Sequence, residues 1–296
     1  MKLAFIGFGE AAQAMALGFQ GEKSLEKLSA FDIRAQDPAH AAALHRKAEE
    51  LGVHLAASIG EAVADAPVVL SMVQGSVAVA VAQSVAPALA EGQVYVDLNS
   101  VSPDAKRRVA GAIAQGKGDC VEGAIMDAVR PKNHKVPILL AGRGAGAVAD
   151  QLNAVGMNCE AIGDVVGQAC SVKMIRSVMM KGVEALILES MAAAETAGVT
   201  ERILDSVNET FKGLDWRKLT SHYLKRTHEH GLRRVSEMKE SAATIRGMGM
   251  EPFMSTAISR TIAKGHARLS AVPYDASAQY PQLLRLLVSK EGQDRT

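Results

Sequence analysis

Aromatic residues make up only 4% of the 296-residue chain, too few for the base-stacking surfaces that hold single-stranded nucleic acid. Neither sign of charge is in excess. Lysine and arginine total 33, aspartate and glutamate 32, for a net charge of +1, so there is no basic footprint for a nucleic-acid partner. Cysteines are sparse: Cys120, Cys159 and Cys170, with no Cys-x-x-Cys pair. That pattern argues against a disulfide framework or a cysteine zinc site and predicts a reducing, cytoplasmic location. No apolar run approaches the roughly 18 residues of a membrane span. The apolar opening, residues 1–7, is shorter than a secretory h-region and leads into glycines. What is present is a globular composition, 48% hydrophobic and 22% charged, which excludes a disordered chain. At about 150 residues per domain the length predicts two domains.

The first half alternates short apolar runs with amphipathic segments. Residues 3–6, 28–33, 67–72 and 94–98 read as buried strands, and 11–19, 39–51, 77–89 and 103–114 as helices. Pro38 and Pro103 suit first helical turns, with Asp37 and Ser102 as N-caps. Such alternation predicts an α/β fold with a doubly wound parallel sheet. Two more strand-like runs, 121–126 and 136–141, extend it. The character changes near Gly163. From 165 to 197 there is no proline and, past Gly167 at its start, one interior glycine, Gly182, before Gly198 offers a stop. This predicts a helix of about 33 residues, about 50 Å long, linking domain 1–163 to an all-α domain, 164–296. Further helices are expected near 200–212, 215–227, 231–247, 252–268 and 276–289. Met174, Met179, Met180 and Met191 are expected to form an apolar face on the long helix.

Gly7-Phe8-Gly9-Glu10-Ala11-Ala12 is a G-x-G-x-x-A loop between a predicted strand and a predicted helix. The first glycine permits the tight turn and the second admits a pyrophosphate to the backbone. The small third residue packs helix on strand, and the helix N-terminus attracts phosphate. Asp32, 20 residues beyond Ala12, stands where an acid would bind an adenosine ribose hydroxyl. The cofactor is therefore NAD or NADP. Asp32 favours NAD by repelling a 2′-phosphate, whereas Arg34 would clamp one. Val73 and Gln74, after the predicted strand at 67–72, are placed beside the adenosine.

Four segments resemble the beta-hydroxyacid dehydrogenase family, which includes hydroxyisobutyrate and phosphogluconate dehydrogenases. The glycine loop resembles its cofactor fingerprint. Asp97-Leu98-Asn99-Ser100-Val101-Ser102-Pro103 resembles its D-x-S-T-x-x-P substrate segment, with Asn99-Ser100 in place of Ser-Thr. Gly167-Gln168-Ala169-Cys170-Ser171-Val172-Lys173 resembles the segment bearing its catalytic lysine, and Met238-Lys239-Glu240 a Lys-Asp pair of its helical domain. The C-terminal part, around residues 233–240, resembles a divergent subgroup. The resemblance implies Lys173 as general acid/base, since a lysine in a partly dry cleft can exchange a proton with a carbinol oxygen. It places Asn99, Ser100 and Val101 at the substrate and Asn99 also at the nicotinamide. It puts Ser177, one turn after Lys173, where an asparagine orients the substrate hydroxyl, and Lys239 near the cofactor. The family's A-P-V-S-G-G segment is matched to Asp127-Ala128-Val129-Arg130-Pro131-Lys132, where Pro131 removes an amide donor and Arg130 is expected to bind the substrate carboxylate instead.

His222, His228 and His230 lie close in sequence, but an H-x-H pair on a helix is poor metal spacing, and a solvated helix is expected. His222, Tyr223, Arg233 and Arg234 are loose candidates for substrate anion contacts, and Glu184 reads as an interface or solvent carboxylate. The implied activity is NAD(P)-dependent interconversion of a beta-hydroxy acid with its semialdehyde or ketone, in a homodimer or larger homo-oligomer without nucleic-acid or membrane partners. The alternative is a dinucleotide-binding sensor without turnover. Imine reduction on the same fold is disfavoured, because those enzymes usually replace the lysine.

Overall fold

Strand and helix alternate through the first half of the computed structural model, which describes residues 1–289. The order is β1 (Lys2–Ile6), α1 (Glu10–Phe19), β2 (Lys27–Phe31), α2 (Pro38–Glu50), β3 (His54–Leu55), α3 (Ile59–Val63), β4 (Val68–Ser71) and α4 (Ala78–Val85). It continues through β5 (Val94–Asp97), α5 (Pro103–Ile113), β6 (Asp119–Ile125), α6 (Val129–Lys132), β7 (Pro137–Ala141), α7 (Ala145–Asn153) and β8 (Asn158–Gly163). Asp37 and Ser102 do cap α2 and α5, each accepting an N–H two or three residues on, with proline at the first helical position. The eight strands form one sheet in the order β3-β2-β1-β4-β5-β6-β7-β8. All neighbours are parallel except β6 and β7. The order reverses between β1 and β4, which opens a crevice at their carboxyl ends. Phe5, Phe8, Met15, Leu70 and Val96 fill one side of the sheet, and Ile6, Val69, Tyr95 and Ile113 the other.

The short pair β3–α3 and the α7–β8 unit escaped the sequence reading, because their runs are brief and rich in alanine. The second strand stops at Phe31, two residues earlier than expected. Asp32 there accepts the backbone N–H of Arg34 and turns the chain into a 3-10 segment.

The chain divides into two compact units, Met1–Lys173 and Met174 onward. The second is all helical: α8 (Gln168–Thr196), whose first turns belong to the first unit, then α9 (Thr200–Thr210), α10 (Trp216–Gly247), α11 (Phe253–Leu269) and α12 (Tyr280–Val288). Leu188, Met191, Leu224, Met238, Ile262 and Leu284 form its core. The methionines do not make one face: Met174 and Met191 are buried, while Met179 and Met180 are exposed. Segments 215–227 and 231–247 are one helix. Gly231, the expected start of the second segment, is a contact point inside this helix, since a Cβ there would lie 2.4 Å from Cβ of His266 on α11.

Helix propensity alone would make Gly231→Ala stabilising by about 1 kcal/mol. The clash with His266 outweighs it, since overpacking costs about 1–3 kcal/mol. Thermal unfolding of Gly231→Ala is expected to show a lower Tm than wild type; an unchanged or raised Tm would refute the close-approach role.

Candidate functional site

At the reversal of strand order, a cleft of about 670 Å³ is lined by Gly7, Gly9, Glu10, Ala11, Asp32, Arg34, Val73 and Gln74 among others. These are the residues that the sequence nominated for a dinucleotide, and β1, β2 and β4 bring them together. Gly7 has φ +90, and a Cβ there would meet the Met72 carbonyl oxygen at 2.5 Å. Both the turn and the packing therefore demand glycine. A Cβ on Gly9 would meet nothing nearer than Arg34 Nη2 at 3.9 Å, so the chain beside it is open. Gly9 is the N-cap of α1 and has no side chain to satisfy the helix N–H groups. An uncapped helix start facing a cleft suits a pyrophosphate. The apolar walls, Ile33, Ile59, Met72, Val77 and Val81, were not foreseen; single apolar residues at loop ends carry no sequence signal. Phe8 is buried beneath the loop and contributes its backbone.

Asp32 is 7% exposed and its acceptors are fully used. Oδ2 accepts from Phe8 N at 2.9 Å and Arg34 Nη2 at 2.9 Å; Oδ1 accepts from Arg34 N at 2.9 Å and Arg34 Nε at 3.1 Å. Burial alone would raise this carboxyl, but the Arg34 guanidinium and the two amides outweigh it and hold it below the ordinary aspartate range. Asp32 in turn raises Arg34, whose side chain is 48% exposed at the cleft.

Asn99 is a strut. Its Nδ2 donates to Asp97 Oδ1 (2.6 Å) and Ser71 Oγ (3.1 Å), and its Oδ1 accepts from Val73 N (2.7 Å). Both amide protons are consumed in tying the loops after β4 and β5 together. Val101 is packed in the core. The Ser100 hydroxyl is shielded from solvent and has no hydrogen-bond partner among the described residues.

Beneath this loop lies a buried charge cluster that the sequence reading missed. Asp97 and Glu122 are register partners on adjacent parallel strands, so their side chains share one face. Lys106 Nζ, fully buried, donates to Asp97 O (2.6 Å) and Gly123 O (3.2 Å) and lies 3.2 Å from Asp97 Oδ2. A lysine on an amphipathic helix usually faces water, so sequence offers no signal for it.

Lys173 lies at the end of the first unit on α8, partly buried. Arg130 is exposed, on a short segment that packs against α1.

In the second unit Ser177 is buried and accepts from Lys181 Nζ at 3.2 Å; Lys181 also pairs with Glu237 at 2.9 Å. Burial lowers Lys181, and Glu237 opposes that shift. Lys239 is exposed. Glu184, expected at an interface or in solvent, is fully buried instead; Arg234 and Thr227 donate to it. Arg234 therefore has its fork occupied, and Tyr223 is in the core. Only His222 and Arg233 of the loose anion candidates are exposed. His228 packs against the Val272 carbonyl, and no group of three potential metal ligands occurs among the described residues. No helix among them is long and apolar enough to cross a membrane.

The family model for the NAD binding domain of 6-phosphogluconate dehydrogenase matches residues 2–163. One described as a domain of unknown function, DUF1932, matches residues 194–264. A conserved hypothetical protein from Sinorhizobium meliloti 1021 is 52% identical, over 97% of this chain and 96% of its own, with a TM-score of 0.83. MTH1747, a conserved protein described as structurally similar to 3-hydroxyacid dehydrogenases, is 33% identical over 92% of this chain and 100% of its own, with a TM-score of 0.74. The 3-hydroxyisobutyrate dehydrogenase of Mycobacterium tuberculosis shares the fold at 17% identity and a TM-score of 0.76, covering 97% and 99% of the two chains. With its glycine cradle at the sheet's reversal point and an acid at the end of β2, the chain belongs to the 6-phosphogluconate dehydrogenase-type family of NAD-binding proteins, and its fold is that of the 3-hydroxyacid dehydrogenases.

Proposed function

We propose that the protein is an NAD(P)-dependent oxidoreductase interconverting a beta-hydroxy acid and its semialdehyde or ketone. The observation that carries this reading is the cleft at the strand reversal, where Gly7 is enforced by the Met72 carbonyl and Gly9 leaves an uncapped helix start. When bound, the nicotinamide supplies or accepts the hydride. Lys173 moves the proton on the substrate oxygen. The Ser100 hydroxyl has no partner among the described residues; it is shielded from solvent, so a shift of the loop after β5 would bring it to the substrate. Asn99 acts by holding the loop that carries Val73. Ser177, one turn after Lys173, accepts a hydrogen bond from Lys181, and its hydroxyl is assigned to the substrate oxygen.

Exposed apolar residues Ile175, Met179 and Leu186 recur along one stripe of α8, at 49%, 71% and 64% exposure. A stripe of this kind on a helix marks a protein interface, and we assign it to a homodimer.

Three outcomes test the reading. Over a panel of 3-hydroxyisobutyrate, L-serine and a cyclic imine, Lys173→Ala is expected to lose at least about 100-fold in kcat/KM for the hydroxy acid while NADH affinity, read by fluorescence titration, holds. Equal turnover in mutant and wild type would remove the lysine from the mechanism, and cofactor binding without turnover on any member would favour the sensor. Arg34→Ala frees Asp32 to accept ribose hydroxyls and deletes the 2′-phosphate clamp. The ratio of NAD to NADP affinity should rise at least about tenfold, the scale of one charged contact. Light scattering on the eluting protein should give a dimer mass, and Met179→Glu with Leu186→Glu a monomer; a monomeric wild type refutes the interface.

A further inference from the structure

Helix α8 begins after Gly167, at φ +110, a residue with no side chain to cap the helix. The first N–H groups of a helix have no partner within it. Here they are satisfied from another element. Glu122 on β6, 1% exposed, accepts from Gly167 N at 2.7 Å and Ala169 N at 2.8 Å on Oε1, and from Cys170 N at 3.3 Å on Oε2. Three amides on one carboxylate, at the positive end of a helix dipole, make a strong charge-assisted cap.

Glu122 is itself held in place. Gly123 beside it is fixed by the Lys106 ammonium on its carbonyl, and a Cβ there would strike Leu98 Cδ2 at 2.5 Å. Strand β6 is paired on both sides, with β5 and β7. The carboxylate is therefore a rigid fixture of the sheet. Lys173 follows Ala169 by one helical turn, on the same face.

We propose that Glu122 is a positioning residue, clamping the first turn of α8 to β6 so that Lys173 is held at a set place against the carboxyl edge of the sheet. This rests on the assignment of Lys173 as the acid/base. The clamp also explains why a glycine stands at the start of this helix: a cap is supplied across 45 residues of sequence by the sheet, and Gly167 supplies the left-handed turn into it.

The test compares Glu122→Gln and Glu122→Ala with wild type. The glutamine keeps size and one acceptor but sets an NH2 against the Cys170 N–H, so it folds with the clamp weakened; alanine removes the clamp. Amide exchange at Ala169 and Cys170 is expected to quicken at least about tenfold in Glu122→Ala, and by less in Glu122→Gln. Strands β1 and β4 should keep their protection and NADH its affinity. Acetylation of Lys173 by acetic anhydride, followed by peptide mass spectrometry, should rise at least about threefold with local opening of this turn, with the other lysines unchanged. The positioning role is read in turnover: Glu122→Ala should lower kcat for the hydroxy acid at least about tenfold while KM and NADH affinity hold, a split that a carboxylate serving stability alone would not give. Unchanged exchange and labelling at 167–173 in Glu122→Gln would overturn the proposal, as would loosening spread evenly through the sheet. Turnover that survives Lys173→Ala overturns the underlying assignment instead, whatever the exchange shows.

Discussion

Two carboxylates sit on register-paired residues, out of water: Asp97 at the carboxyl end of β5 and Glu122 midway along β6. Asp97 and Glu122 are register partners and both are buried, an arrangement that costs several kcal/mol per ion unless each is compensated. Lys106 compensates the first. The N–H groups that open α8 compensate the second. Much of the site hangs from this cluster: Asn99 is braced on Asp97 and in turn holds Val73 at the cleft. The loops of the crevice are thus anchored to the sheet by these polar contacts.

Three helices in this unit begin after a glycine, and the fates of two of them, α1 and α8, differ. α1 starts at Gly9 with no side-chain cap and faces the cleft. α8 starts at Gly167 and is closed by Glu122. The same electrostatic property, a positive helix end, is left for a ligand in one case and spent on internal order in the other. An open helix end is a binding element, while a closed one holds its side chains at fixed places.

The helical unit repeats the pattern of buried charge. Glu184 takes donors from Arg234 and Thr227, and Lys181 bridges Ser177 and Glu237. Each pair joins α8 to α10. Removing one partner would leave an unpaired buried ion, so these pairs restrict how the two helices can register.

Features that depend on neighbours in the chain can be read from the order of residues. The glycine loop, Asp32, the strand–helix alternation and the Pro38 and Pro103 helix starts were legible because turn sterics, caps and periodicity act over a few residues. Tertiary structure alone decided the rest. Residues 215–227 and 231–247 read as two helices until Gly231 is seen packed on His266 within a single one. Asn99 reads as a substrate and cofactor residue, and the bracing of its amide by Ser71, Asp97 and Val73 shows only in the fold. Glu184 reads as an interface or solvent carboxylate until Arg234 meets it. Lys106 and Glu122 carry no local mark at all, because a buried charge is explained only by its partner, and the partner lies far along the chain.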